Sequence, residues 1–397
     1  MHSVERITRS RLARRSGRRL PAPTWSFQLG MGGETPSGYQ ISGLSVTGPG
    51  AYDFSGCRTR HQEIARVAMR IGVFCSGGDA PGMNACVRAA VRTGIAEGHE
   101  MIGIRRGYQG LLEEDFFVTR DGETRMTLRS VSDWARHGGT FLRSSRSEMF
   151  RTPAGQQQAA EILTRHGIDA LIPVGGDGTF HGAVALSHYW NGQIVGCPGT
   201  IDNDLQGTDF TIGFSTAVST AVAAVDKIRD TAESHERMFL VEVMGRHSGY
   251  IAVYTAVGAG AETVCIPETE TDLKAIVENL QTLRERGKTS VMMVVAEGDE
   301  GGGAEAMQQL LTEAGCPFST RVVILGHLQR GGAPTPEDRL LASQLGHWAI
   351  RVIGAGSTGT MVGRVGAELS ETPFAETYAS HRPIPQDLLE LVATLSQ

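Results

Sequence analysis

Three short segments combine glycines with acidic side chains, a combination that suits the binding and transfer of phosphate. They span residues 76–84, 175–179 and 198–204. Adjacent glycines let backbone N–H groups approach a phosphate closely, and a carboxylate can hold Mg²⁺ beside that phosphate or accept a proton. Asp177 lies between glycines in the second segment, and two aspartates bracket an asparagine in the third. These residue types predict phosphate chemistry.

Each segment also has a simpler explanation when it is taken alone. The Gly77-Gly78 pair could form a tight turn, and it is not a Walker A loop because no Gly-Lys-Ser/Thr follows. Asp177 could cap a helix, and lipid and nicotinamide-nucleotide kinases also use a Gly-Gly-Asp-Gly-Thr segment. Asp202 and its neighbours could hydrogen-bond their own loop as Asx turns.

Short apolar runs precede these segments, as expected for strands that hold functional loops at their ends. Helix-length stretches with apolar residues three or four apart separate several of the runs, most clearly over 218–228. Near-continuous apolar strands alternating with amphipathic helices predict buried parallel sheets and an α/β architecture. In such sheets the ligand binds beyond the carboxyl ends of the strands, where the glycines gather here. The predicted strands are 71–75, 101–104, 170–174, 194–197, 239–243, 263–266, 291–296 and 322–325.

The composition of the 397-residue chain excludes several classes of protein. Apolar residues make up 40% and charged residues 20%, which is too ordinary for a disordered or fibrous chain. A net charge of −6 argues against general attraction to nucleic acid, so local arginines must hold any anionic ligand. The six cysteines never approach CxxC spacing, which predicts reduced core residues in a cytoplasmic protein. No apolar run is long enough to predict a transmembrane helix.

The first 68 residues lack the periodicity of the rest. Residues 2–20 carry seven arginines against one glutamate, and residues 21–60 are rich in Gly, Ser, Pro and Thr. A basic start of this kind fits a transit peptide or a nucleic-acid arm, and it equally fits a flexible leader or a start codon assigned too far upstream. We predict a flexible extension over 1–68, with the first domain beginning at Met69.

In their order and spacing, the three segments resemble those of the 6-phosphofructokinase family. Further matches are Met244-Gly245-Arg246 after a predicted strand, Glu297 at the end of another, and the Gly-His-Leu-Gln-Arg-Gly-Gly sequence at 326–332. The resemblance extends from about residue 69 to about residue 350 and indicates the ATP-dependent bacterial type.

The resemblance implies a fold and a reaction. The fold has two Rossmann-like three-layer domains with largely parallel sheets and an active site in the cleft between them. The reaction transfers the γ-phosphoryl group of ATP to the 1-hydroxyl of fructose 6-phosphate, with Mg²⁺ as cofactor. Family members are usually homotetramers in which residues matching Arg237 and Arg321 enter the site from a neighbouring subunit. The implied domains are an ATP-binding domain at 69–212 plus 328–378 and a fructose 6-phosphate-binding domain at 213–327 plus 379–397.

The resemblance also implies roles for individual residues. Asp202 matches the base that accepts the proton of the sugar hydroxyl, and Asp177 matches the Mg²⁺ ligand. Arg246 would stabilise the transferring group and Arg146 would reach the ATP phosphates, because a guanidinium presents a fixed fork of donors. The ATP site would comprise Gly78, Arg146, Ser147, Gly176, Asp177, Gly178 and Thr179, and the sugar-phosphate site Thr200, Ile201, Asp202, Arg237, Met244, Gly245, Arg246, Glu297, Arg321, His327, Leu328, Gln329 and Arg330.

Two glycines bear on the choice of phosphoryl donor. Pyrophosphate-dependent relatives carry Asp after the Gly-Gly-Asp and Lys before the Thr-Ile-Asp, where this chain has Gly178 and Gly199. A side chain at either place is expected to fill space that the α-phosphate of ATP needs. The resemblance therefore favours ATP as the donor.

The match to an effector site is less complete. Bacterial members bind ADP or phosphoenolpyruvate at a cationic subunit interface, but this chain has Leu128 where an effector-binding arginine is expected. Arginines on helices are also common as ordinary surface residues. The residues at matching places are Arg88, Arg92, Arg229, Glu262 and Lys288.

Two other functions stay open on the sequence alone. A nicotinamide-nucleotide or lipid kinase would share residues 175–179, but it would give no reason for 200–204, Arg246 or 327–330. A regulatory sugar-phosphate-binding subunit without catalysis would be expected to lack the base or the metal carboxylate, and both are present here. A coupled assay with fructose 6-phosphate and ATP separates the three possibilities.

Overall fold

The computed structural model describes residues 68–380 and 382–395. The predicted extension over 1–68 lies outside this range except for Ala68, and so does Cys57. The described cysteines are free thiols, as predicted, and burial raises the pKa of the Cys75 thiol to about 12, which keeps it protonated and unreactive. Four of them are buried and the last is half-buried: Cys75, Cys86, Cys197, Cys265 and Cys316.

Seven strands form the larger sheet, which is parallel except for one pair. They are β1 (Arg70–Cys75), β2 (Glu100–Gly103), β3 (Ala170–Gly175), β4 (Gln193–Thr200), β5 (Ile212–Gly213), β10 (Thr360–Val365) and β11 (Glu368–Pro373). The order is β11-β10-β4-β3-β1-β2, with the short β5 beside the end of β4, and β10 and β11 are antiparallel. Central strand β3 is buried along its whole length because helices cover both faces of a parallel sheet.

Four parallel strands form the second sheet. They are β6 (Arg237–Val243), β7 (Thr263–Cys265), β8 (Val291–Ala296) and β9 (Ser319–Ile324), in the order β7-β8-β6-β9. β8 is entirely buried, whereas β9 lies at the sheet edge and its side chains are exposed or half-buried.

Helices of varied length pack on these sheets. They are α1 (Met83–Ala96), α2 (Gly107–Leu112), α3 (Pro153–Arg165), α4 (Asp177–Ser187), α5 (Phe214–His235), α6 (Tyr250–Ala259), α7 (Leu273–Glu285), α8 (Gly303–Glu313), α9 (Pro336–Gly354), α10 (Phe374–Thr377) and α11 (Gln386–Leu395). Short 3₁₀ turns occur at Leu128–Val131, Trp134–Arg136, Met149–Arg151 and Gly326–Arg330. Within the described part of the chain, no helix is both long and apolar enough to cross a membrane.

The architecture confirms the predicted α/β class. Each of the eight predicted strands overlaps an observed strand, and the amphipathic stretch 218–228 lies within α5. The larger sheet draws its strands from 70–213 and 360–373, and the smaller sheet from 237–324. The exact domain boundaries stay a prediction.

Candidate active site

Loops at the carboxyl ends of three neighbouring strands line one cleft of about 660 Å³. The strands are β1, β3 and β4, whose parallel pairing brings the three predicted segments together. The loop after β6 and the turn before α9 complete the wall. The predicted residues that line the cleft are Gly78, Arg146, Ser147, Gly176, Asp177, Gly178, Thr179, Thr200, Asp202, Arg246 and Arg330.

The glycine at 78 lets a guanidinium lie against the loop after β1. A Cβ atom at Gly78 would lie 2.6 Å from Nη1 of Arg330, which is closer than such atoms approach. Arg330 is only 8% exposed, and its Nη1 donates to the backbone oxygen of Asp79 at 3.0 Å. The sequence predicts Arg330 in the sugar-phosphate site, and the structure shows that it also contacts the first glycine loop.

The second loop packs tightly against the first. A Cβ atom at Gly175 would lie 2.3 Å from Oγ1 of Thr179 and 2.5 Å from the backbone oxygen of Ser76, so a glycine is required there. The hydroxyl of Tyr108 donates to the backbone oxygen of Thr179 at 2.8 Å. Helix α4 begins within this loop, and its N-terminal N–H groups and dipole favour an anion in the cleft.

Asp177 presents the carboxylate that suits a magnesium ion. Its side chain is 52% exposed in the cleft, and its Oδ1 lies 2.5 Å from Nδ1 of His181. The N-cap of α4 is Gly176, so Asp177 is not the capping residue that the sequence left open. The described residues hold no cluster of three or more His, Cys, Asp or Glu that could bind a metal. One carboxylate beside a helix N-terminus that favours anions still fits Mg²⁺, which takes its other ligands from phosphates and water.

Asp202 is a buried carboxylate that faces two arginines. Its side chain is almost inaccessible, with 5% of the residue exposed, and its Oδ2 lies 3.9 Å from Nε of Arg246. Oδ1 is fully buried and makes no hydrogen bond of good geometry to the described residues. Burial raises the pKa of this carboxyl above its usual value, against the opposing charges of Arg330 and Arg246. A raised pKa makes the ionised carboxylate a better proton acceptor than an exposed aspartate.

The asparagine beside Asp202 holds the loop in place. Asn203 adopts a left-handed φ of 54°, its Oδ1 accepts from the Thr211 amide at 2.8 Å, and its Nδ2 donates to the backbone oxygen of Asp209 at 3.2 Å. The hydroxyl of Thr211 donates to the backbone oxygen of Thr200 at 2.6 Å. The loop-stabilising role that the sequence left open for this segment therefore belongs to Asn203, while the Asp202 carboxylate remains available for chemistry.

A strained turn positions Arg246. Gly245 has a φ of 145° and Arg246 a φ of 53°, both in the left-handed region. Oε1 of Glu297 accepts from the Arg246 amide at 2.8 Å and from the Gly245 amide at 3.3 Å. A Cβ atom at Gly298 would lie 1.6 Å from the backbone oxygen of Arg246, so the turn needs a glycine behind it. The Met244 amide donates to Oε1 of Gln329 at 2.8 Å.

Several predicted substrate residues lie outside the cleft lining. Ile201, Met244 and Gln329 have buried side chains, and Gln329 serves the backbone at Met244 instead of facing the cleft. Gly245 belongs to the turn that carries Arg246, and Glu297, which follows β8, accepts hydrogen bonds from that turn. The remaining four lie on β6, on β9 and in the turn that follows β9: Arg237, Arg321, His327 and Leu328. Their roles stay predictions.

The two glycines that bear on the choice of phosphoryl donor, Gly178 and Gly199, differ in their surroundings. A Cβ atom at Gly178 would meet nothing within 4 Å, so a side chain there has room to project. A Cβ atom at Gly199 would lie 2.9 Å from Cε of Met83 and 3.0 Å from Cγ1 of Val174. Gly199 lines the cleft, but a Cβ atom there would first have to displace these core side chains. The effect of a side chain at 199 on the choice of donor stays a prediction.

Sequence reasoning missed an aromatic and polar side of the cleft. The rings of Tyr108 and Phe150 stack with their centroids 4.0 Å apart. His181 pairs with Asp177 and stacks on Tyr378 at 3.6 Å. Its spacing of four residues from Asp177 on one helix was a readable signal, because such residues share a face. The missed lining residues are Tyr108, Ser145, Phe150, Arg151, Gln156, His181, Gly182, Ala185 and His247. Ser76, Gly77, Gly199 and Asp204 also line the cleft, and they belong to the predicted segments 76–84 and 198–204.

The residues predicted for an effector site fall into two groups. Arg88 and Arg92 lie on α1. Elsewhere, the buried carboxylate of Glu262 pairs with Lys288 and lies 3.6 Å from Nη1 of Arg229. Arg229 also donates to the backbone oxygen of Ala259 at 2.7 Å. An effector role for either group stays a prediction.

Comparisons with known proteins agree on the family. The family model described as Phosphofructokinase matches residues 70–353. The chain is 47% identical over 327 residues to ATP-dependent 6-phosphofructokinase 1 of Thermus thermophilus, a match that covers 82% of this chain and 99% of the relative. It is 48% identical over 328 residues to the ATP-dependent 6-phosphofructokinase of Paenibacillus macquariensis, with 83% and 99% covered.

Solved structures show the same relationship. Phosphofructokinase from Saccharomyces cerevisiae matches with a TM-score of 0.68 and 34% identity over 82% of this chain, which spans 46% of the yeast chain. A pyrophosphate-dependent phosphofructokinase from Nitrosospira multiformis shares the fold, with a TM-score of 0.70 at 20% identity, and 83% of this chain and 92% of that chain are covered. From the matched family model and from relatives of this identity and coverage, the chain belongs to the phosphofructokinase family.

Proposed function

We propose that this protein transfers the γ-phosphoryl group of ATP to the 1-hydroxyl of fructose 6-phosphate, giving fructose 1,6-bisphosphate and ADP. The observation that carries the proposal is the buried carboxylate of Asp202, which faces Arg246 and Arg330 in a cleft closed on another side by the N-terminus of α4. Bacterial relatives named ATP-dependent 6-phosphofructokinase match over nearly their whole length, which supports the same donor and acceptor.

Asp202 is the proposed base. As the sugar hydroxyl oxygen attacks the γ-phosphorus, its proton passes to the Asp202 carboxylate, and the bond from that phosphorus to the β-phosphate bridging oxygen breaks. The desolvated carboxylate has a raised pKa, so it accepts the proton more readily than an exposed aspartate would. A base of this kind typically contributes ~10²–10⁴ in rate.

The arginines are proposed to hold charge as it shifts between the phosphates. Arg246 lies beside Asp202, where the transferring group would pass, and its strained turn fixes its direction. Arg146 lines the same cleft and is proposed to reach the ATP phosphates. Preorganised cations stabilise the spreading charge of the transition state because they need no reorientation during transfer.

Asp177 is the proposed ligand for Mg²⁺. Its half-exposed carboxylate and the adjacent phosphate-binding helix fit an ion that shares its coordination with substrate phosphates. When bound, the ion neutralises phosphate charge and keeps the donor in line with the acceptor. Gly78, Gly176 and Thr179 supply the surrounding backbone and hydroxyl contacts in this proposal.

The 6-phosphate of the sugar is proposed to bind at an interface between subunits of a homotetramer. Arg237 and Arg321 lie on β6 and β9 outside the cleft lining, so they suit the site of a second copy. Apolar side chains are exposed at the end of β9 and in the turn that follows it, with Ile324 52% exposed and Leu328 71% exposed. Exposed apolar surface beside functional cations is typical of an interface. His327 and Arg330 would complete the cradle.

Regulation and domain division follow as further proposals. The effector residues Arg229, Glu262 and Lys288 form a charged cluster near one end of the small sheet, and ADP or phosphoenolpyruvate is the proposed ligand of the completed interface site.

The two sheets support an ATP-binding domain built on the larger one and a sugar-phosphate domain built on the smaller one. A cytoplasmic location is proposed from the glycolytic reaction.

A coupled assay tests the function directly. ADP release is followed with MgATP and fructose 6-phosphate, then with a nicotinamide dinucleotide or diacylglycerol in place of the sugar phosphate. Turnover with fructose 6-phosphate that Asp202→Asn abolishes supports the proposal. Turnover only with the other acceptors would indicate a different kinase, and binding of fructose 6-phosphate without turnover would indicate a regulatory subunit.

A further inference from the structure

A buried carboxylate behind the cleft joins the two loops that carry Asp202 and Arg330. Asp338 is 1% exposed and lies in the first turn of α9, outside the cleft lining. Its Oδ1 accepts from the Gly213 amide at 2.8 Å. Its Oδ2 accepts from the amide of Thr216 at 2.8 Å and from its hydroxyl at 2.5 Å. Three donors at the start of α5 therefore converge on one carboxylate of α9.

Hydrogen bonds link the first turns of the two helices at this point. In an ordinary capping box, an acidic residue at the third helical position accepts from the amide of its own N-cap residue. Here Thr335 is the N-cap of α9, but its amide donates to the Thr216 hydroxyl of α5 at 3.0 Å, while Asp338 accepts from α5. Thr335 Oγ1 still accepts from the Asp338 amide of its own helix at 3.3 Å, so the bonds between the helices add to an ordinary cap of α9. Neither helix can shift without leaving the donors of Gly213, Thr216 or Thr335 unpaired.

The hydrogen bonds that join Asp338 and Thr335 to Gly213 and Thr216 form a junction, the Asp338 junction, and each side of it is connected directly to the cleft. Gly213 pairs in register with Thr200, which lies two residues before Asp202. On the other side, only residues 331–335 separate Arg330 from α9. A Cβ atom at Gly213 would also lie 2.6 Å from Cβ of Ala80, so the first glycine loop packs on the same junction.

We propose that Asp338 is a positioning residue that, through Thr216 and Gly213, fixes Asp202 and Arg330 at the separation needed for phosphoryl transfer. Its effect on the rate rests on the proposed function. Its effect on the electrostatics of Asp202 does not, and this permits two independent tests. The charged groups that act on Asp202 from the surrounding elements are Arg330, Arg246 and Glu297, and the titratable groups Asp177, Asp204 and His247 line the same cleft.

Thr216 offers a matched pair of variants that leave the cleft residues untouched. Thr216→Val removes the hydroxyl with little change of volume, and Thr216→Ser keeps it. Asp338→Asn keeps an acceptor oxygen but places an amide donor against the donors of α5. We expect Thr216→Val and Asp338→Asn to lower kcat by about tenfold while the KM for MgATP changes by less than about twofold, because misalignment acts in the transition state. Thr216→Ser is expected to stay near wild type.

The second test measures the charge state of Asp202 without any substrate. Burial raises the pKa of Asp202, so the folded protein retains a proton that the unfolded chain loses as pH rises. The stability advantage of Asp202→Asn over wild type therefore grows with pH and levels off above the pKa of folded Asp202. We call the pH at which this advantage stops growing the levelling point. In a Thr216→Val background Arg330 is held less closely, so the pKa of Asp202 rises further. The levelling point is then expected to move up by about half a pH unit.

These outcomes decide the inference. A kcat loss with an unchanged KM for MgATP, together with an upward shift of the levelling point, supports the positioning role. A fall in Tm alone, with kcat and the levelling point unchanged in both folded variants, would make Asp338 merely structural and overturn it. If the wild-type protein does not phosphorylate fructose 6-phosphate, the proposed function fails, and the levelling point still decides the role of Asp338.

Discussion

A carboxylate at position 178 is expected to remove ATP as a donor while the fold stays intact. Gly178 is the second residue of α4, and a Cβ atom there would meet nothing within 4 Å. Replacing a helical glycine by aspartate gains only about 0.3 kcal/mol in helix propensity, but an acidic side chain in the first turn also complements the helix dipole. Gly178→Asp should therefore be at least as stable as wild type, so lost activity would not reflect lost structure.

The expected loss can be estimated from Coulomb's law. Position 178 lies in the cleft between the proposed Mg²⁺ ligand Asp177 and the lining residue Thr179. A like charge about 5 Å from a phosphate oxygen, at an effective dielectric constant of about 20, repels it by about 3 kcal/mol. This corresponds to a loss of about a hundredfold in kcat/KM for MgATP. Obstruction of the α-phosphate adds to it.

Gly178→Asn is the matched control because asparagine has the shape of aspartate without its charge. The difference between the two variants isolates the repulsion, which should shrink as salt rises because the cleft is open to solvent. For both variants and wild type, kcat/KM is measured from ADP release with MgATP and from phosphate release with pyrophosphate. Wild type is expected to prefer MgATP by at least about a hundredfold. If Gly178→Asp uses ATP as well as Gly178→Asn does, or if wild type prefers pyrophosphate, charge at position 178 does not select the phosphoryl donor. Adding Gly199→Lys should move the ratio towards pyrophosphate at a low rate, because its Cβ must displace Met83.

Three further predictions address the base, the extension and the subunit interface. Asp202→Asn should lower kcat at least about a hundredfold with sugar binding largely intact, and it should raise the Tm at about pH 8 but not at about pH 4, because the raised pKa of Asp202 destabilises the fold only above the range of an unfolded aspartate. Near-normal turnover, or an unchanged Tm at the higher pH, would contradict it. A chain that begins at Met69 should fold and phosphorylate fructose 6-phosphate as well as the full chain, because β1 begins at Arg70 and the family model matches residues 70–353; a large loss in either assay would show that the extension is needed. Mixing inactive Arg237→Ala subunits with inactive Asp202→Asn subunits should restore part of the activity if Arg237 serves a neighbouring site, and no recovery after proven subunit exchange would place both groups in one subunit's site.

Strands could be predicted where the order of neighbouring residues alone shows a clear hydrophobic pattern. Buried parallel strands such as β3 and β8 are continuous apolar runs, and they were found. β5 was missed because two residues are too few to show a pattern. β10 and β11 were missed because this antiparallel pair at the end of the sheet mixes exposed polar residues with buried ones.

In the candidate site, too, residues with a local sequence signal could be predicted and residues brought in by tertiary packing could not. Asp177 and Asp202 could be predicted because each lies in a glycine-rich loop directly after a strand. Tyr108 and Phe150 could not, because they come from helical turns with no such signal and enter the cleft only through tertiary packing. The Asp338 junction was also unreadable, since an acidic residue in the first turn of a helix ordinarily caps its own helix.

The turn at Arg246 shows why a motif residue can have two tasks. A non-glycine residue in the left-handed region costs about 1–3 kcal/mol, so Arg246 keeps its conformation only if its surroundings enforce it. The Glu297 carboxylate enforces it by accepting two backbone N–H groups, and hydrogen bonds to a charged group contribute about 1.5–3 kcal/mol each. Gly298 leaves the space that the Arg246 carbonyl needs. The resemblance assigned Glu297 to the sugar, yet its Oε1 is already engaged in aiming the arginine that would meet the transferring phosphoryl group. Any contact of Glu297 with a sugar hydroxyl would therefore also act on that arginine, and acceptor binding would then be coupled to the alignment of the proposed catalytic arginine.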